Sequence, residues 1–156
     1  MMRYQRGTTT VEFAVIAGAA LTVLFGVIEV GRALFVWNTA AEVTRRGARV
    51  AAVCPINHPA VTEIAIFNQA GGGAQSPVLN GLTSANINVE YLDDYGNATT
   101  TYPDVSYVRV SIINYQHTML IPFAPVTIPV PPFSTTIPAE SLGYVPDLDL
   151  RECFGS

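Results

Sequence analysis

The spacing of apolar residues changes once along the first third of the chain, and two kinds of helix surface follow from it. No charged side chain occurs from Phe13 to Ile28. Continued one turn to Arg32, that run is about 30 Å long at ~1.5 Å per residue, the thickness of a hydrocarbon core. Beyond it the apolar positions narrow to a stripe. Val36, Ala40, Val43, Gly47, Val50 and Cys54 recur at alternating steps of four and three, while Glu42, Arg45 and Arg49 fall on the other side. Such a stripe predicts a helix with one face against protein. Nothing breaks the helix before Pro55, so one helix is expected to about Val53, about 67 Å in length.

After the loop from Cys54 to His58 the pattern shortens. Pro59 suits a first helical position, and AVTEIAIFNQA reads as a short helix stopped by Gly71, Gly72 and Gly73. Two alternating segments follow, INVEYL from Ile87 and VSYVRVSIINY from Val105, joined through a turn at Asp93 to Asn97. They predict an antiparallel pair with Val108, Val110 and Ile112 inward. Prolines at 122, 125, 129, 131 and 132 confine the next stretch to an extended, irregular or edge path. A third strand, FSTTIPAESL from Phe133, is placed at the sheet's edge, and the tail DLDLREC is expected to return to the stem. The predicted fold is therefore α+β: a transmembrane and stem helix over 8–53 after a leader over 1–7, then a domain over 54–156 with a short helix and an antiparallel sheet of about three strands.

Composition narrows the function. The chain has 156 residues, 49% hydrophobic and 13% charged, with the apolar excess between Val11 and Val53. What remains after the stem builds a small core and leaves little room for a deep enzyme cleft. A net charge of -4 gives no basic footprint for nucleic acid. His58 and His117 are isolated, and the two cysteines form no CxxC pair, so neither a metal nor a cofactor is expected. Asp93, Asp94 and Asn97 lack the spacing of a calcium loop and fit a tight turn. The glycine run lacks the lysine and hydroxyl of a phosphate-binding loop, and no nucleophile elbow occurs. No enzymatic activity is expected. Cys54 and Cys153 would close the domain into one loop if bridged, which requires an oxidising compartment; the other reading is two unrelated buried thiols.

The stem itself carries the positions that ask for a role. Arg3 and Arg6 precede the apolar run, and Glu29, Arg32 and Trp37 stand where a signal-peptide cleavage site would need small residues. Glu29 and Arg32 are three apart and suit an ion pair at the outer membrane boundary. Ala14, Gly18, Thr22 and Gly26 recur every fourth residue, a smooth face on which another helix can approach; small residues are also simply common in membrane helices. A carboxylate inside a bilayer costs roughly 2.5–3.5 kcal/mol at the centre and less near the edge. Glu12 therefore either reaches for headgroups or meets a cation. If the bond after Gly7 is cut, the new amino group of Thr8 on a neighbouring subunit supplies one, and the pair sets axial register.

Gly7, followed after four residues by Glu12 and Phe13 at the head of an uninterrupted apolar helix, resembles the prepilin peptidase motif of type IV pilins and pseudopilins. The continuation, VEFAV and then GVIEVGRALFVWNTAAEVTRRGARVAA, resembles the TadE-like minor pilins of the Tad/Flp pilus system over Arg6 to about Ala52. The resemblance implies cleavage between Gly7 and Thr8 by a prepilin peptidase and a mature fifth-position glutamate at Glu12. It further implies extraction by an inner-membrane pilus assembly platform and partnership with other pilin subunits and the lipid bilayer. Thr8 departs from the residues most often methylated in pilins. The implied location is the bacterial inner membrane, N-terminus in the cytoplasm and domain in the periplasm, then the pilus. Two other classes compete: a single-span anchored binding or sensor domain, and a small exported hydrolase, for which no convergent polar cleft is apparent.

Overall fold

The computed structural model describes residues 8–120, 126–146 and 149–153. One helix, α1 (Thr8–Val53), carries the whole first third. Residues 8–28 form its lower half, where every described side chain is exposed except the half-buried Ala17. From Glu29 upward the stripe governs. Val36, Ala40, Val43, Gly47 and Cys54 are buried and Val50 is partly so, as the four-three spacing requires. The domain packs against this seam along its full length.

The domain begins with α2 (Pro59–Ala65), whose first position is Pro59 and whose cap is His58, the Nδ1 of which accepts the Ala60 N–H at 3.3 Å. The sequence reading carried this helix on to the glycine run. It stops at Ala65 because Phe67 takes a left-handed φ of 65°, which a helix cannot continue. Gly47 is the point of closest approach. A Cβ built there would lie 3.0 Å from both Ala65 Cβ and Val110 Cγ1, so only glycine lets α2 and the sheet meet on the stem.

Seven short strands follow among the described residues: β1 (Ile87–Leu92), β2 (Tyr107–Ile112), β3 (Gln116–Thr118), β4 (Thr127–Pro129), β5 (Ser134–Pro138), β6 (Tyr144–Val145) and β7 (Leu150–Arg151). The main sheet is antiparallel in the order β1-β2-β5, with Val89 opposite Val110 and Val110 opposite Thr135. Val108, Val110 and Ile112 point into the core as the alternation predicts. The strand read from Phe133 is β5, and its place on the far side of β2 makes β2 the central strand. Thr135 also ties the sheet to the stem, its hydroxyl 2.8 Å from that of Thr44.

Two hairpins go beyond the expected sheet. β3 pairs with β4 and β6 with β7, so Thr127–Pro129 of the proline-rich stretch takes an extended edge path as expected, while Pro122 and Pro125 lie outside the described residues. Pro129 ends its strand, where its missing N–H is tolerated. β2 and β3 run down the stem: Val110 lies at Gly47, His117 lines a cleft with Arg32 and Val36, and Leu120 reaches Glu29. The chain from Val110 to Leu120 spans at most about 33 Å at ~3.3 Å per residue. The helix from Gly47 to Glu29 rises about 27 Å at ~1.5 Å per residue. The strands therefore descend with little lateral wander, and the domain sheathes the upper half from Cys54 at the top to Glu29 at the bottom.

Candidate functional site

The functional positions of the stem fall into three groups along one helix. Gly7 lies outside the described residues, and Thr8 is the first residue of α1. Glu12 and Phe13 stand exposed in its opening turns. Ala14, Gly18, Thr22 and Gly26 are also exposed, and a Cβ built on Gly18 or Gly26 would meet nothing within 4 Å. Thr22 turns its hydroxyl inward, donating to the Gly18 carbonyl at 2.8 Å, so its hydroxyl is already satisfied within the helix. The small-residue line is thus open along its whole length, with no side chain of the described residues laid over it.

At the bottom of the sheathed half the pair Glu29 and Arg32 forms, with Arg32 Nη1 at 2.5 Å from Glu29 Oε1. The surroundings differ from an exposed boundary pair. Glu29 is only 7% exposed, and its Oε1 also accepts the backbone N–H of Leu120 at 3.1 Å. The carboxylate is therefore a junction, holding the helix, a guanidinium and the far end of the β3–β4 hairpin together. Glu29 Oε2 and His117 Nε2 are buried without hydrogen-bond partners among the described residues. A cleft of about 340 Å³ opens beside them, walled by Arg32, Phe35, Val36, Leu79 and Tyr115 among others. Among the described residues Arg32 is the one formally charged residue lining it, and Glu29 pairs with it.

At the top, Cys54 and Cys153 form a disulfide across 99 residues, with Cα atoms 5.1 Å apart. Glu140 and Leu142 donate their N–H groups to the Ala52 carbonyl beside it, at 3.0 and 3.2 Å. The returning tail is thus pinned to the helix end by both covalent and hydrogen bonds. Of the stem arginines, Arg45 pairs with Glu42 at 3.6 Å, while Arg46 lies 5.4 Å from the Phe67 ring centre. Arg46 covers the turn that ends α2, so it belongs to the domain interface and not to a uniform solvated face.

Elsewhere the polar groups are spent on folding. Asp93 accepts N–H groups from Tyr95 and Asn97 at 2.9 and 2.8 Å. Its pKa is held below the usual aspartate value, chiefly by the Asn97 backbone. That is the chemistry of a tight turn. Tyr91 is raised by burial, and its hydroxyl accepts the Asn57 N–H at 3.3 Å. No group of three or more His, Cys, Asp or Glu residues suited to a metal ion occurs among the described residues.

The Glu29 to Leu120 contact and the buried His117 were not read from the sequence. Their only advance signal is compositional: no Asp, Glu, Lys or Arg stands between Arg109 and Glu140.

A single helix, bare over its first half and sheathed by a small α+β domain over its second, defines a stem-and-domain protein. Its helix is long and apolar enough to cross a membrane. The stem is similar to a known family: a family model described as TadE-like protein matches residues 7–49. The match begins at Gly7 and ends just past Gly47, short of α2 and of every strand. No curated protein and no solved structure matches the chain.

Proposed function

We propose that this chain is a pilin-like structural subunit of a Tad-type pilus. In this reading a prepilin peptidase cuts between Gly7 and Thr8, and the subunit stands in the inner membrane with its domain in the periplasm. An assembly platform then draws the stem into a filament of other pilin subunits. The observation that carries the reading is the bare lower half of α1, headed by Glu12 and matched from Gly7 onward by the TadE-like family. A helix apolar on all sides needs an apolar surrounding, first lipid and then neighbouring stems. Glu12 has no partner on its own stem within salt-bridge distance among the described residues. The mature amino group of an adjacent subunit supplies one, and the pair sets register. The cystine at the stem top suits the oxidising side of that membrane. The proposal assigns the chain no catalysis and no cofactor; it is the substrate of the peptidase.

Intact mass of the purified protein tests the reading. Cells with an active prepilin peptidase are expected to yield a chain shorter by residues 1–7, and Gly7→Asp or peptidase-deficient cells the full precursor. An identical mass in all three sinks the proposal and leaves a single-span anchored binding or sensor domain.

A further inference from the structure

The β3–β4 hairpin ends at an informative height. Main-chain bonding continues past the strands, Met119 N–H donating to the Val126 carbonyl at 2.8 Å, so Leu120 and Val126 stand together at the far end. Leu120 is held to Glu29, the first charged residue above the run from Phe13 to Ile28. Side chains on a helix tilt toward its N-terminus, so the Glu29 carboxylate, and Leu120 with it, lie at the level of Glu29 or just below. Leu120 is 68% exposed, and Val126 and Ile128 are exposed on the other strand of the hairpin. The whole segment from Arg109 to Glu140 contains no intervening Asp, Glu, Lys or Arg. An uncharged hairpin descends the stem, and its strand that ends at Leu120 reaches the level where the stem's own charge-free run begins.

We propose that the lower described part of this hairpin is a second membrane contact, with Leu120, Val126 and Ile128 resting in the outer headgroup and upper acyl region of the bilayer. The occupant of this surface is lipid. The inference rests on the reading of the lower half of α1 as the bilayer span. It adds a consequence that the span alone lacks: two points of contact, one helix and one hairpin, fix the rotation of the domain about the stem and its height above the membrane. Glu29 is the brace between them. Its carboxylate satisfies the Leu120 N–H, which at that depth would otherwise lose its water.

Depth-dependent quenching tests both statements separately. The full-length chain carries one tryptophan, Trp37. In a Trp37→Phe background, single tryptophans are placed by Phe25→Trp in the span, Leu120→Trp on the hairpin and Tyr95→Trp on the 91% exposed turn between β1 and β2. Each is reconstituted into phosphatidylcholine vesicles whose acyl chains are brominated near the headgroup or near the chain end. Disulfide formation, read by non-reducing mass, confirms that each variant has folded. Leu120→Trp is expected to emit at a shorter wavelength than Tyr95→Trp and to lose intensity to the shallow bromines more than to the deep ones. Phe25→Trp is expected to be quenched, and Tyr95→Trp to stay bright. An unquenched Leu120→Trp beside a quenched Phe25→Trp overturns the hairpin contact and leaves the span standing. If Phe25→Trp is also unquenched, both readings fall. A blue-shifted Leu120→Trp that is unquenched and varies with the protein-to-lipid ratio assigns the surface to a second copy of the chain, which likewise overturns lipid as the occupant.

Discussion

The two halves of α1 share their apolar residue types, differ in charge and face different surroundings. Below Glu29 the helix is valine, alanine, leucine, isoleucine, phenylalanine and glycine on every side beyond Glu12, and its described side chains stand open. Above it the same residue types recur, yet Val36, Ala40, Val43, Gly47 and Cys54 line up on one face and vanish beneath the domain. Mean hydropathy already separates the two, since Glu29, Arg32, Glu42, Arg45, Arg46 and Arg49 all lie in the upper half. Periodicity adds which face is meant for protein, because an all-round apolar surface has no side left for water, whereas a stripe has one. Glycine shows the difference most sharply. At Gly18 the missing side chain leaves open space, and at Gly47 it leaves room for Ala65 and Val110.

The largest way to break the contrast is at its upper end. Closing 99 residues into a loop restricts the unfolded chain, and a bridge of this kind contributes about 2–5 kcal/mol. Cys54→Ser with Cys153→Ser is expected to lower the domain's stability by that amount. Urea unfolding followed by tyrosine fluorescence in micelles is the measurement, and reduction of the parent protein should reproduce the shift. The helical signal of the lower half should persist through the transition, since nothing in the domain holds it. A domain equally stable without the bridge would mean that the seam alone holds the tail.

Next in size is one substitution made in both halves. Gly47→Val forces carbon atoms into a space where even a Cβ meets its neighbours at 3.0 Å, and overpacking of this sort costs about 1–3 kcal/mol. Gly18→Val meets nothing within the chain. The expected outcome is a lowered urea midpoint for Gly47→Val and an unchanged one for Gly18→Val. In the filament reading Gly18→Val should instead impair assembly. Equal midpoints for the two variants would erase the distinction between the halves.

How much of this was legible in the chain follows the range of the interactions. The stem and its seam were readable because helical periodicity is written in neighbours three and four apart. β1 and β2 were readable for the same local reason, as alternation over six residues. The turn at Asp93 was readable from its Asp and Asn side chains. α2 was extended too far because the left-handed turn at Phe67 falls on a bulky residue and not on glycine. The β3–β4 hairpin escaped because its strands are three residues long and one ends in proline. The bridge between Cys54 and Cys153 remained one of two readings, since a separation of 99 residues carries no local signal. The junction was half legible: the Glu29 and Arg32 pair followed from spacing, but its third member, Leu120, is 91 positions away. What sequence misses here is long-range placement, and the lower boundary of the sheathed half is made of it.

The most local effect expected is at that boundary. Glu29 Oε1 accepts the Leu120 N–H, and a hydrogen bond to a charged group contributes about 1.5–3 kcal/mol. Glu29→Ala removes the acceptor, so the Leu120 amide should exchange with deuterium about 13- to 160-fold faster, the same energy expressed as a ratio. Amides of β1 and β2, far up the stem, should be unchanged. Glu29→Gln keeps an oxygen in place while abolishing the charge that Arg32 meets. If the acceptor is what matters, Glu29→Gln protects Leu120 nearly as well as glutamate. If the ion pair with Arg32 is what orients the carboxylate, Glu29→Gln exchanges as fast as Glu29→Ala. Hydrogen exchange resolved at Leu120 distinguishes these outcomes. Full protection in Glu29→Ala would show that the hairpin is held by the stripe above it, leaving Glu29 no part in marking where the sheathed half ends.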